Sequence, residues 1–180
     1  MNMKKQIFLA FVLSAAAINC LGISFAYVNT EDVLQGSKEF KECERKALTK
    51  RDLRTEEISQ MTAQLDKLEA QITALSAEKS AALREQYAKD FDRIERFKEQ
   101  ATEEITAQHS HDMERIASKI RAIIEKIGSR DNVSLMLDLK AILYLDQKVV
   151  KDYTKEVTNE LNRQYDEELD KLRSKLPLSK

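Results

Sequence analysis

Two histidines, His109 and His111, are the residues of this chain most suited to metal binding, and Asp112 follows them directly. A zinc site needs several such ligands that converge in space. On a helix, side chains three or four positions apart are neighbours, whereas those two apart point to different sides. His109 and Asp112 have the favourable spacing, but the two histidines do not. The pattern therefore favours solvated side chains, and the sequence predicts no metal site.

The chain also lacks the other sequence patterns typical of catalytic sites. The chain has only three glycines, and it lacks the G-x-x-x-x-G-K segment that holds phosphates in nucleotide-binding loops. No nucleophile and base stand in a recognisable arrangement, and the abundant carboxylates are spread along helix faces. We predict that the protein is not an enzyme and uses no cofactor.

The N-terminal residues have the composition of a secretory signal peptide. Two lysines precede an apolar run over 7–17, small residues follow, and the first acidic residue is Glu31. This order predicts a signal peptide over 1–22, with cleavage at a position from 17 to 22. Two alternatives remain: an uncleaved membrane anchor, for which the run is short, and a lipid-modified Cys20.

The charge balance argues against a nucleic-acid partner. The chain has 30 basic and 31 acidic residues, and removal of the signal peptide with its two lysines leaves 28 basic residues, a net charge near −3. Nucleic-acid-binding domains usually carry a basic excess.

Loss of Cys20 would leave Cys43 as the single cysteine, so no disulfide could form within the chain. We expect that thiol to be inert and partly buried rather than paired between chains.

A very long helical region occupies the middle of the chain. The 91 residues from 37 to 127 include neither glycine nor proline, which cost about 1 and 3 kcal/mol inside a helix relative to alanine. An apolar residue recurs there every eleven positions. Eleven residues make three helical turns at about 3.67 residues per turn, which is close to the period of an ideal helix, so the apolar residues follow a nearly straight line along one face. The members of this set are Met61, Ile72, Leu83, Ile94, Ile105, Ile116 and Ile127.

An interruption near the midpoint of this region predicts a hairpin. Apolar residues alternate at spacings of three and four from Ile58 to Leu75, and the pattern resumes with a different phase from Leu83. Between them, 76–80 lacks a bulky apolar residue. We expect 37–127 to form an antiparallel helical hairpin, or arm, with its tip near 76–82. One unbroken helix is the alternative.

Short apolar segments near both ends of the mature chain predict a small sheet. Residues 23–28 alternate as a strand does, and 133–137 and 141–144 are two further candidate strands. The turn-forming residues of 128–132 predict a loop, and Asp146 is expected to open a closing helix. One face of that helix would carry Val149, Tyr153, Val157 and Leu161.

The predicted fold class is therefore mainly α with a small β body, formed by 23–36 and 128–180. A sheet of three short strands is marginal unless its edges are covered. Sharing the sheet between copies would cover them, so we expect a homo-oligomer. The apolar residues expected at the oligomer interface are Phe25, Tyr27, Val133, Leu135, Leu137, Ile142 and Tyr144.

These segments carry a resemblance to a known family. The sequences of 26–29, 132–138, 141–144 and 150–154, placed around a long helical hairpin, resemble the Skp (OmpH) family of periplasmic chaperones. The resemblance implies a homotrimer with a β-barrel base and three helical arms that enclose a cavity. It also implies a periplasmic holdase that keeps unfolded outer-membrane proteins from aggregating, without ATP.

The chain departs from that family in two respects. The members best known for this role are strongly basic, whereas this chain is slightly acidic, which leaves contact with membrane lipids or lipopolysaccharide an open question. The last helix, extended to residue 180, is also longer than the family pattern, and the sequence assigns no role to the extension.

Three aromatic residues of the returning helix are candidates for contact with clients: Tyr87, Phe91 and Phe97. A holdase needs many weak contacts rather than one tight pocket, because linked contacts add up to a high effective affinity. An alternative interpretation places Tyr87 and Phe91 in the seam between the helices. Phe97 is then the best candidate for an outward-facing ring.

A structural coiled-coil protein, such as an envelope spacer or a stalk, is the competing hypothesis. It would share the export signal and the long helices. It would not require 23–28 to pair with the segments near 133–144.

Overall fold

The computed structural model describes residues 23–146 and 148–175. The predicted signal peptide, Cys20 and the last five residues lie outside this range. The elements in chain order are β1 (Phe25–Val28), α1 (Thr30–Gly36), α2 (Lys38–Thr73), α3 (Ala81–Asp131), β2 (Leu135–Asp138), a 3-10 turn (Leu139–Ala141), β3 (Lys151–Asp152) and α4 (Thr154–Lys175). The fold is thus mainly helical, with long helices and a few short strands.

The contacts within the chain define two compact units. The first, here called the sheet unit, combines 23–36 with the described part of 120–164. The second, the hairpin unit, combines 37–119 with 165–175. Helices α3 and α4 each contribute residues to both units.

The hairpin unit begins with a well-formed helix start. The Ser37 hydroxyl accepts a hydrogen bond from the Phe40 N–H (3.2 Å), which satisfies one of the free donors of the first turn of α2. At the far end of α2, residues 74–80 form the turn that leads into α3. Ser80 is fully buried there, and its N–H donates to the Ser76 carbonyl (3.0 Å).

The two long helices of the hairpin unit are antiparallel. Glu44 of α2 contacts His109 of α3 (2.7 Å), and Lys50 contacts Glu104 (2.8 Å), so residue numbers rise along one helix as they fall along the other. The apolar seam between them includes Leu65, buried on α2. Every member of the eleven-residue set is buried or half-buried, as expected for one continuous buried face.

The sheet unit is organised around β1, which lies between β2 and β3 and is parallel to both. Phe25 is paired with Leu135, and Tyr27 with Leu137 on one side and Asp152 on the other. The core of this unit is formed by Ala26, Tyr27, Val28, Val33, Ile120, Ile123, Ile127, Tyr153, Val157 and Leu161.

The loop predicted at 128–132 is wrong, because α3 continues through Asp131. Gly128 does not take a positive φ and remains inside the helix, where glycine is tolerated at a modest cost. The helix ends instead at Asn132, whose φ of 54° is left-handed. The Val133 N–H then donates to the Gly128 carbonyl (2.9 Å), the hydrogen bond that closes a Schellman-type helix end.

The strand predicted at 141–144 and the helix start predicted at Asp146 are also wrong. A 3-10 turn ends at Ala141, and the following residues pair with no strand of the described chain. The third strand is β3, and α4 begins only at Thr154. Asp146 forms a turn, since its carboxylate accepts from the Lys148 N–H (3.0 Å). The apolar composition of 141–144 favoured a strand. A strand forms only where another strand lies beside it, and that depends on contacts between distant residues.

Candidate functional site

The sheet unit exposes one apolar face. Side chains alternate between the two faces of a strand, and the inward-facing residues Ala26 and Val28 are buried. On the other face, Tyr27 is buried, but Phe25 and its partner Leu135 are 51% and 44% exposed, and Leu137 is also exposed. Two neighbouring strands thus present large apolar side chains to solvent.

Further apolar side chains of the sheet unit are exposed around the strands. Leu143 and Tyr144 lie in the segment without strand partners and are almost fully exposed. Val149, which precedes β3, is also largely exposed. Ile23, ahead of β1, is 67% exposed. Isolated exposed apolar residues are ordinary, but large apolar patches on a protein surface usually mark an interaction site.

The sheet also has two free edges. Within the described residues, β2 and β3 each pair with β1 alone, so their outer N–H and C=O groups have no strand partner. Unpaired edges are ready to accept another strand, and proteins usually cover them. The β3 strand is only two residues long, which limits the pairing it can offer by itself.

The predicted interface residues fall into three classes of exposure. Phe25, Leu135, Leu137 and Tyr144 are exposed, and Val133 and Ile142 are half-buried. Tyr27 lies in the core of the sheet unit, where burial, and then the neighbouring Asp152, raises the pKa of its phenol. All of them belong to the sheet unit, and their role in oligomerisation stays a prediction.

A charged cluster that no sequence pattern indicated holds β3 in place. The Asp131 carboxylate accepts hydrogen bonds from Arg130 Nε (2.6 Å), the Tyr153 hydroxyl (2.6 Å) and Lys151 Nζ (3.0 Å). The bonds from Arg130, Tyr153 and Lys151 hold the pKa of Asp131 well below its usual range. The Lys151 ammonium also lies 4.2 Å from the centre of the Tyr153 ring. Arg130 precedes Asp131 directly, but Lys151 and Tyr153 are 20 and 22 residues away in the chain. No local pattern therefore signals the cluster.

The hairpin unit contradicts the outward orientation predicted for Phe97. Phe97, expected to face outward, is half-buried, and the Arg54 guanidinium lies 5.4 Å from the centre of its ring. Phe91 is 47% exposed, and Tyr87 is half-buried. The physical reason is helical spacing: Phe97 is three residues from Ile94 and four from Ala101, both buried, which places all three on one face.

Two exposed apolar residues of α2 were missed by the sequence analysis. Leu48 and Leu53 are 55% and 61% exposed, and with Phe91 they are exposed large apolar side chains on helices that are otherwise rich in charged residues. Leu48, Ala47 and Ile105 line an open groove of about 540 Å³, with Glu44 and His109 at its rim. The sequence does mark Leu48 and Leu53, because each is an apolar residue that does not fit the spacing of three and four along the seam.

The histidines do not form a metal site among the described residues. The His109 Nε2 atom lies 2.7 Å from Glu44 Oε1, and His111 is exposed. Asp112 is paired with Arg115 (3.0 Å). Across the ranges 23–146 and 148–175, no group of three or more histidine, cysteine or acidic side chains could hold a metal ion.

Comparison with known proteins identifies the family. The family model for outer membrane proteins (OmpH-like) matches residues 24–161, more than half of the chain. The chain belongs to the OmpH-like family. This family is one of outer-membrane chaperones and is not enzymatic in general.

The fold of this OmpH-like protein is also similar to a solved structure. The crystal structure of a candidate OmpH-like outer membrane chaperone from Caulobacter crescentus matches it with a TM-score of 0.69 and 15% sequence identity. The match covers 78% of this chain and 85% of the other, and at that identity it shows the fold alone. No curated protein matches the sequence.

In the described part of the chain, no helix has the length and apolar character needed to cross a membrane.

Proposed function

We propose that this protein is an ATP-independent holdase of the periplasm that keeps unfolded outer-membrane proteins soluble between helical arms. Membership of the OmpH-like family supports the chaperone role. The observation that carries the client-binding part is the set of apolar side chains outside the seam of the hairpin unit: Leu48, Leu53 and Phe91.

These three residues suit a protein that binds many unfolded chains. Each offers a small apolar contact on a charged helix, and none lies in a closed pocket that would demand one ligand shape. Several weak contacts to one client add up through a high effective concentration. The contacts also need no nucleotide, in keeping with an ATP-independent cycle.

The arms enclose a client only if several chains assemble, and we propose a homotrimer. Support comes from the sheet unit, whose exposed apolar face includes Phe25 and Leu135 and whose edges at β2 and β3 are unpaired within the described residues. Three copies placed edge to edge would cover these edges and bury the apolar side chains. The cleavable signal peptide over 1–22 would deliver the chain to the periplasm.

The spacer or stalk hypothesis is less well supported. A spacer does not require the terminal segments to meet, yet β1 pairs in register with β2 along all four residues. Pairing between segments more than one hundred residues apart requires a folded base, which a simple rod does not need.

An aggregation assay tests the client-binding proposal. An unfolded β-barrel membrane protein is diluted from urea into buffer, and light scattering is followed with increasing amounts of the purified mature protein. We expect aggregation to be suppressed at a few chains per client. Absence of suppression at every ratio would rule out the holdase role.

A matched pair of variants locates the client contacts. Replacing Leu48, Leu53 and Phe91 with serine should raise the amount of protein needed for suppression several-fold, since each contact contributes a small apolar area. The control replaces three exposed polar residues, Lys67, Gln71 and Glu99, with serine. Equal activity of the two variants would place the client contacts elsewhere.

A further inference from the structure

Helix α4 continues beyond the part of the chain that matches the family. The match ends at residue 161, whereas α4 extends to Lys175. From residue 165 onward, this helix belongs to the hairpin unit. The extension therefore has a defined place in the hairpin unit, next to the first turns of α2 and to Lys119 of α3.

The extension contacts the first turn of α2. Asp166 Oδ2 lies 2.7 Å from Lys38 Nζ. Tyr165 is half-buried, and burial, followed by the nearby Glu42 carboxylate, raises the pKa of its phenol. Leu169, one turn further along, is also half-buried.

The extension contacts α3 through a lysine that is itself engaged in the hairpin. Glu168 Oε2 lies 2.7 Å from Lys119 Nζ, and the same ammonium lies 3.1 Å from Glu39 Oε2 of α2. The side chain of Glu39 is 2% exposed and also pairs with Arg115. One charge network thus joins α2, α3 and α4.

The buried carboxylate makes this network more than a set of surface ion pairs. Exposed pairs such as that of Lys38 shift an opening equilibrium by a few-fold at most. A buried carboxylate, in contrast, must keep its cations, because an uncompensated buried charge is strongly destabilising. Glu168 binds the same Lys119 ammonium, so the extension supports the pairing on which Glu39 depends.

We propose that residues 165–175 form a strut that fastens the first turns of α2 to α3 and restricts opening of the hairpin at its base. Asp166 and Glu168 are the positioning residues of the strut, one for each helix. This inference goes beyond the proposed function and does not depend on it, because it concerns the protein without a client.

Amide hydrogen exchange of the client-free protein tests the strut. A chain ending after Gln164 is compared with one ending after Lys175, which keeps the strut and loses only the last five residues. We expect amides of 38–50 to exchange at least tenfold faster in the shorter chain, with 58–72 unchanged in both. Equal exchange of 38–50 in the two chains would overturn the proposal.

A charge swap provides a second test that does not rely on truncation. Asp166→Lys places two cations together and should speed exchange of 38–50 by a few-fold, whereas adding Lys38→Glu in the same chain should restore it. Asp170→Lys is the control, since Asp170 pairs only with Arg173 of its own helix among the pairs described for it. If the truncated chain does not fold, the swap decides, and failure of Lys38→Glu to rescue would refute the strut.

Discussion

At the scale of residues, single side chains settle how distant segments meet. Asp131 joins the end of α3 to β3 and to the residue before α4, since its carboxylate accepts from Arg130, Lys151 and Tyr153. The Tyr153 N–H in turn donates to the Tyr27 carbonyl (3.0 Å). A two-residue strand such as β3 therefore depends on side-chain contacts as well as on its ladder.

The Asp131 cluster predicts a specific response to acid. A carboxyl whose pKa is lowered by folding stabilises the native state above its unfolded pKa, about 3.9, and that contribution is lost as the pH falls toward the folded pKa. We expect Asp131→Asn to lower the urea midpoint at pH 7. We also expect it to flatten the loss of stability below about pH 5.

The measurement is urea unfolding followed by circular dichroism at pH 7, 5, 4 and 3. Asp52→Asn, a change at an exposed position of α2, serves as the control for removing one carboxylate. A variant whose midpoint falls with pH as steeply as that of the unchanged protein would contradict the assignment.

At the scale of elements, helix ends account for most differences between the predicted and observed structure. Gly128 was expected to break the helix, yet the left-handed residue that ends it is Asn132. Gly36 does stand at an element boundary, where α1 ends and Ser37 begins the next helix. Glycine indicates a possible helix break at both positions, but the surrounding structure differs, so only Gly36 lies at the end of a helix.

The two glycines should respond oppositely to alanine. A Cβ atom added at Gly128 meets nothing within 4 Å, so Gly128→Ala should stabilise the protein by about 0.5–1 kcal/mol. A Cβ atom added at Gly36 would lie 2.7 Å from Thr158 Cγ2, and Gly36→Ala should destabilise. Thermal unfolding of both variants is the check, and a shift of the same sign for both would refute the packing argument.

At the scale of the whole molecule, the sheet unit explains why one chain is expected to be insufficient. Its apolar face and its edges at β2 and β3, which are unpaired among the residues that the structure describes, resemble half of an interface. Apolar surface of this kind contributes roughly 25 cal/mol per Å² when it is removed from water. Assembly of several copies is the arrangement that would bury it.

A charged residue in the apolar face should disrupt assembly. We expect Phe25→Asp to shift the purified protein from three chains to one, as measured by light scattering after size exclusion at several concentrations. Leu48→Asp, an equal change on the exposed face of α2, should leave the mass unchanged. A trimer that survives Phe25→Asp would move the interface away from this face.

The sequence by itself determined the long helices of this protein. Absence of glycine and proline over 37–127 and the eleven-residue apolar set are local properties of one chain, and each member of the set is buried or half-buried in the structure. The interruption expected at 76–80 falls within the turn over 74–80. A repeated spacing indicates which face of a helix is buried, because that face follows from the geometry of the helix alone.

Only the tertiary structure decided which short segments pair and which rings face solvent. Strand β3 has two residues and no pattern of its own, and it exists because β1 lies beside it and Asp131 holds Lys151. Phe91 and Phe97 have similar neighbours in sequence, but only one lies over the seam, against Arg54. Pairing and exposure depend on contacts between distant residues, and a single sequence encodes these without displaying them.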